Sequence, residues 1–279
     1  MIKDLLLTLT MTDGDDTALA YAMNLANQYN AHLSVVVPFI YPIMDSTDFG
    51  LSTYSLYADL YNDAMNNAKV AVESIQEKLA NSTFSHSVQM INSSLWSSSL
   101  FSGTVAHAAD LCILGGDTRD VRNQAFKDLF VNQLLHTGRP VLYVPKGASI
   151  DQSSKRVVLA WKPSREATRA INDAMPLLRD AQFIDLLMIE SDSSDHADDA
   201  KQASLMAAHL ARHGIHARIV VQPASKHSIG QSILNYAKQI DAQLIVSGGY
   251  SHSRLREQLL GGVTRELTSH AEIPIFFSH

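Results

Sequence analysis

Gln243-Leu244-Ile245-Val246-Ser247-Gly248-Gly249 repeats, in altered letters, a phrase met earlier in the chain: Asp110-Leu111-Cys112-Ile113-Leu114-Gly115-Gly116. Each is a polar residue, an apolar run and a glycine pair, and the two lie 133 positions apart. Working outward, Leu5-Leu6-Leu7-Thr8-Leu9 falls on Val157-Val158-Leu159-Ala160-Trp161 at an offset of 152. The same offset lays Ala18, Ala22 and Leu25 on Ala170, Ala174 and Leu177, and Val35-Val36-Val37 on Leu187-Met188-Ile189. Near the end of each copy, Arg139-Pro140-Val141-Leu142 matches Ile273-Pro274-Ile275-Phe276 at 134. Matches in one order along the chain read as a duplication. The fall from 152 to 133 gives the first copy 19 extra residues, which the Ser-, Thr-, Tyr- and Asp-rich stretch from Tyr41 to Leu60 accommodates. The expected domains are residues 1–146 and 155–279, joined by a polar segment beginning at Lys146-Gly147-Ala148-Ser149.

Composition bounds the function. Of 279 residues, 22 are basic and 28 acidic, a net charge of −6 that argues against a nucleic-acid partner, which needs a concentrated basic face. Hydrophobic residues at 46% and charged residues at 18% are globular values. No apolar run approaches the ~20 residues of a membrane span, and the start of the chain lacks a signal-peptide pattern. The single cysteine, Cys112, excludes an internal disulfide framework. A cytoplasmic protein without membrane association is expected.

Short apolar runs alternate with helical patterns in each copy, the signature of βαβ units around a parallel sheet. In the second copy the expected strands are Arg156–Trp161, Phe183–Ile189, His216–Val221, Gln243–Ser247 and Ile273–Phe277. Their nearly continuous apolar character suits strands covered on both faces. Ala167, Ala170, Ile171, Ala174, Leu177 and Leu178 recur at helical spacing behind Ser164, a candidate N-cap. Further helices are expected over about Ala200–Arg212, Ser228–Ile240 and Leu255–Ser269, with Gly261-Gly262 a break inside or before the last. The fold class is α/β: two doubly wound domains whose ligands bind beyond the carboxyl ends of the strands, where strand order reverses.

The stretch from Leu244 to Thr264 carries the chemistry. A strand ends at Gly248-Gly249, a small polar loop follows, and Gly261-Gly262 precedes Val263-Thr264 and a helical pattern. Glycines let backbone approach a ligand, and a helix start offers free N–H groups to phosphate. Tyr250, His252 and Arg254 add a stacking face, a titratable donor and a cation. A glycine pattern by itself is also consistent with a simple chain turn and a solvated basic face.

This stretch resembles the end of a universal stress protein domain, whose nucleotide-binding members carry G-x2-G-x9-G-S/T between the fourth strand and fourth helix. Gly248 takes the first glycine and Gly261 the third, and Val263-Thr264 match the residues that usually follow. The start of the second copy, Val157 to Ala167, is similar to the family's first strand and helix. The resemblance implies a tandem pair of such domains, each a five-stranded sheet of order 3-2-1-4-5. It implies pairing through their last strands about a pseudo-twofold axis, an internal pseudo-dimer open to further homodimerisation. It implies a stress-response role, with ATP or AMP as ligand and Mg if ATP. The implied ligand set is Lys162, Gly248, Tyr250, Ser251, His252, Gly261, Gly262, Val263 and Thr264.

This chain departs from the family pattern at three of those positions. Lys162 stands where the family has an aspartate, Ser251 where it has the second glycine, and Gly262 where it has the phosphate-binding serine. Lysine offers donors only, so an acceptor is lost and a cation gained. In the first copy Asp117-Thr118-Arg119-Asp120 follows the glycine pair, and Asp128-Leu129 aligns with Gly261-Gly262, so no nucleotide is expected there. No catalytic set and no metal site are expected, and any ATP hydrolysis should be weak. His209, His213 and His216 lack a carboxylate or cysteine nearby in sequence, and Asp192, Asp195, Asp198 and Asp199 suit an acidic loop and helix start. Cys112, inside an apolar run, reads as packing, and Trp96 lies in a loop before a helix. The extra residues around Tyr41, Tyr54, Tyr57 and Tyr61 suit a lid, an interaction surface or ordinary packing. Two other function classes stay open: a non-nucleotide interaction module with protein partners, and, ranked last, a small-metabolite enzyme.

Overall fold

The computed structural model describes residues 1–39, 51–92, 105–117, 124–149, 156–190, 196–223, 228–249 and 261–279. In the first half the strands are β1 (Asp4–Thr8), β2 (His32–Phe39), β3 (His86–Asn92), β4 (Leu111–Gly116) and β5 (Val141–Pro145). The second half supplies β6 (Arg156–Ala160), β7 (Phe183–Ile189), β8 (Ala217–Gln222), β9 (Leu244–Gly248) and β10 (Ile275–Ser278). They form one ten-stranded sheet of order β3-β2-β1-β4-β5-β10-β9-β6-β7-β8, so each half reads 3-2-1-4-5. Pairing is parallel within each half and antiparallel where β5 meets β10. Strand limits differ from the expected ones by a residue or two; β10 starts at Ile275 because Pro274 has no N–H to give a ladder.

The β5–β10 register shows why the repeat matters. Tyr143 faces Ile275, Leu142 faces Phe276 and Val141 faces Phe277. At the repeat offset of 134, Leu142 and Phe276 are equivalents and the two flanking pairs exchange, as a self-complementary twofold interface requires. A second contact on the same axis joins Gln28 to Asp180, equivalents 152 apart, with Nε2 donating to Oδ2 at 2.9 Å.

The helices are α1 (Asp15–Tyr29), α2 (Leu51–Leu79), α3 (Gln124–His136), α4 (Arg165–Leu178), α5 (His196–Arg212), α6 (Ile229–Gln239) and α7 (Gly262–His270). Ser164 caps α4 by accepting the Ala167 N–H at 3.2 Å, as the sequence predicts, and Ser228 caps α6 through the Gln231 N–H at 3.3 Å. Alternate strand residues face two cores. Leu5, Leu7, Leu159 and Phe276 join the layer of α1, α2, α4 and α5; Leu6, Cys112, Val158 and Phe277 join that of α3, α6 and α7. Both layers run through both halves.

The first half's extra residues are not simply loop. Tyr41 lies outside the described residues, but the chain is helical from Leu51, and α2 has 29 residues against 17 in its counterpart α5. At 1.5 Å per residue α2 is about 18 Å longer. Its first buried described side chain is Ala68, and the extra turns stand on Tyr61, which meets Phe39 edge-on at 5.7 Å.

Candidate functional site

In the second half strand order reverses between β6 and β9, whose ends pair Ala160 with Ser247. Lys162 and Gly248 therefore flank one crevice at the carboxyl edge. Lys162 is exposed, with no hydrogen bond or ion pair among the described residues. Gly248 presses on the start of α4: a Cβ there would lie 2.7 Å from the Ala167 nitrogen and the Glu166 carbonyl carbon. Its glycine character is thus required by helix–sheet packing. Gly115 has the same duty in the first half, with the Gly14 oxygen at 2.7 Å and the Ala18 Cβ at 2.9 Å.

Gly261 and Gly262 differ. Among the described residues a Cβ on either would meet nothing within 4 Å, and Gly261 is the N-cap of α7 with no side-chain cap from them. The first N–H groups of α7 are therefore uncapped, with the positive end of the helix dipole behind them. Val263 is half-buried and Thr264 is buried at the α7 start. Tyr250, Ser251 and His252 lie outside the described residues.

The sequence model of the universal stress protein family matches the part of the chain that builds this crevice. Residues 153–277 match the universal stress protein family. The fold likeness extends further than that match. A universal stress protein from Archaeoglobus fulgidus superposes with a TM-score of 0.71 at 13% identity, covering 99% of this chain and 96% of its own. A putative universal stress protein from Pseudomonas aeruginosa gives 0.63 at 15% identity, covering 99% and 93%. At such identities these likenesses establish the α/β fold. No curated protein sequence matches.

The first half's crevice carries different chemistry from that of the matched part. The β1–α1 loop wraps around Asp15, whose carboxylate accepts the Thr10 N–H at 2.9 Å, the Thr10 hydroxyl at 2.8 Å and the Thr12 N–H at 3.2 Å. Met11 turns through φ 58° to allow this. Burial pushes the Asp15 carboxyl up, against the hydrogen bonds that pull it down. Lys146 pairs with Asp13 at 2.8 Å and reaches Asp117 at 4.0 Å. An anion nest is already filled by the protein's own carboxylate. Asp128-Leu129 lies inside α3, so at the positions aligned with Gly261-Gly262 the helix runs on and offers no N-terminus.

Three features escaped the sequence reading. Asp185, in β7, accepts both Arg218 Nε at 2.9 Å and Nη2 at 2.8 Å, and the Tyr236 hydroxyl at 2.7 Å. Burial raises its carboxyl, but these bonds and the Arg218 charge outweigh burial and hold it below the ordinary value. The signal was a lone aspartate in the apolar run Phe183–Ile189. A cleft of about 40 Å³ lies on the pseudo-twofold axis, lined by Tyr21, Leu25, Leu142, Val157 and Leu177 among others. It is far smaller than the roughly 300 Å³ a small-molecule pocket needs, and it sits away from the strand ends. The third feature is Trp161, buried at the end of β6 with its indole nitrogen unpartnered among the described residues. The histidines disperse: His209 and His213 meet edge-on at 4.8 Å, His209 contacts Asn172, and His216 is exposed before β8. Cys112 is fully buried in β4, where burial pushes its thiol up to about 12, too high for a nucleophile at neutral pH. Among the described residues, no helix is long and apolar enough to cross a membrane.

Proposed function

We propose that the chain is a tandem universal stress protein, with domains at residues 1–146 and 155–279, that binds an adenine nucleotide or related phosphorylated ligand in its second half. The observation that carries this reading is the α7 start, which no described side chain caps and where no described residue would meet a Cβ on Gly261 or Gly262. With it goes Lys162, which has no partner among the described residues and flanks the crevice with Gly248. Phosphate oxygens accept from the Gly262 and Val263 N–H groups, and Lys162 supplies a point charge in place of the family's aspartate. Gly248 sets the crevice floor and Thr264 anchors the helix start, while Tyr250, Ser251 and His252 complete the proposed ligand set. With no catalytic set, the ligand acts by occupancy, in a cytoplasmic stress response, and any hydrolysis of Mg-ATP is slow. The first half, whose nest is filled by Asp15, stays empty of nucleotide.

Calorimetric titration of the full chain with AMP and with Mg-ATP tests this. One site per chain is expected, and Lys162→Ala should weaken it about tenfold, the scale of one charge-assisted hydrogen bond. Binding should also become less sensitive to salt. Two equal sites, or none, would refute the reading. An interaction-module reading keeps one specific support: α2 exposes Leu56 (58%), Leu60 (41%) and Val70 (65%). Under that reading Leu56→Ser with Leu60→Ser would abolish partner or self-association while leaving nucleotide titrations flat in parent and variant alike.

A further inference from the structure

Trp161 is 8% exposed, and its Nε1–H has no acceptor among the described residues. A buried N–H left unpaired is uncommon and costly, and such exceptions fall at strained or functional sites or where a further partner binds. Packing alone does not demand an indole here: Leu9, the equivalent residue of the first half, is just as buried at 4% and carries no polar atom. The position is suggestive as well. Trp161 directly follows β6 and precedes Lys162, and its backbone N–H donates to the Leu187 oxygen at 2.8 Å. Its ring belongs to the layer of α4 and α5, with Met188 of β7, whereas α7 belongs to the opposite layer. The α7 start and the Trp161 ring thus belong to opposite sides of the sheet, one with backbone donors and the other with a buried ring N–H.

We propose that the Trp161 indole N–H recognises an acceptor atom at the non-phosphate end of the ligand, with a nucleobase ring nitrogen as the chemistry that fits. The inference rests on the phosphorylated-ligand reading above and narrows it. A flat aromatic donor in an apolar layer suits a heteroaromatic ring, because it offers one directed hydrogen bond in the plane of the indole. A phosphate bound at α7 and a base bound at Trp161 are the two ends of one nucleotide lying across the β6 and β9 ends. The donor that lacks a partner among the described residues gains one on binding, so the site discriminates nucleotides from phosphates without a base.

Nuclear magnetic resonance on the full chain with ¹⁵N-labelled indoles tests this, since the sequence holds only two tryptophans, Trp96 and Trp161. AMP should move the Trp161 indole N–H downfield and slow its solvent exchange. Pyrophosphate should shift the Gly262 and Val263 amides and leave the indole in place. Trp161→Phe, which assigns the signal, should lose about tenfold in AMP affinity, keep its pyrophosphate affinity, and melt no lower than the parent. AMP binding that shifts the α7 amides while the Trp161 indole stays unmoved would overturn the inference and leave the phosphate site standing. So would unchanged AMP affinity in Trp161→Phe. Failure of both AMP and pyrophosphate to bind would overturn the phosphorylated-ligand reading, and this inference with it.

Discussion

Gly248 and Gly262 belong to one sequence motif, yet the space around them assigns them opposite duties. A methyl on Gly248 collides with the backbone of Glu166 and Ala167, which cannot move without shifting α4. Gly248→Ala should therefore cost about 1–3 kcal/mol of stability, the scale of overpacking in a tight contact, and so should Gly115→Ala against Gly14. A methyl on Gly262 meets none of the described residues and replaces a poor helix former, so Gly262→Ala should leave stability unchanged or raise it by up to about 1 kcal/mol. It should nonetheless weaken a phosphorylated ligand, because the methyl enters the ligand's space. Urea titrations of the three variants, with ligand titration of the third, separate packing glycines from binding glycines. A Gly248→Ala protein as stable as its parent would defeat the argument.

At the scale of the element, β7 and β8 are pinned together by a polar device inside an apolar layer. The Asp185 side chain is buried, whereas the Arg218 side chain is 69% exposed. The two partners are therefore not equivalent. Arg218→Met strands a buried carboxylate with only the Tyr236 hydroxyl, while Asp185→Asn leaves a guanidinium that water can still solvate. Arg218→Met should lower the urea midpoint at pH 7 more than Asp185→Asn. The pH dependence follows from the direction of the shift. Because the folded carboxyl lies below the ordinary 3.8, its stabilisation is complete above that value and is lost as pH falls through the lower, folded one. Without Arg218, burial dominates and the carboxyl protonates early, so the variant's deficit should shrink as pH is lowered toward 4. A deficit constant from pH 7 to pH 4 would show that Arg218 acts through packing alone.

The same elements explain what was legible in advance. Strands buried on both faces have to be apolar throughout, so β1, β4, β6 and β9 could be read as runs. The sequence places the last helix from about Leu255, with the glycine pair a break inside or before it, whereas α7 as described runs from Gly262. Ser164 announced its cap because capping is local chemistry. The long α2 was hidden because Leu51–Tyr61 is rich in serine, threonine and tyrosine, residues that read as loop until Phe39 gives Tyr61 a surface. The packing role of Gly248, the filled nest at Asp15 and the orphan nitrogen of Trp161 depend on which backbones meet across the sheet. Spacing along the chain carries no record of that.

The whole molecule is held at its middle by little backbone. Only three residue pairs join β5 to β10, so side chains must supply most of the cohesion between halves. Phe277 is fully buried and meets Phe130 edge-on at 5.5 Å, a contact between halves. Phe126 is nearly as buried, but its ring contacts are Phe130 and Tyr143, both in the first half. Truncating either aromatic should cost about 3–5 kcal/mol in lost burial and cavity formation. The two losses should differ in kind. Because both core layers run through both halves, the parent should melt in a single calorimetric transition, with van't Hoff and calorimetric enthalpies in agreement. Phe126→Ala removes cohesion within one half and should lower that transition without dividing it. Phe277→Ala removes cohesion across the pseudo-twofold axis, so each half should come closer to unfolding on its own, with a van't Hoff enthalpy well below the calorimetric one. Equal enthalpies in Phe277→Ala would mean that the three backbone pairs and the remaining apolar contacts suffice to make the two halves one cooperative unit.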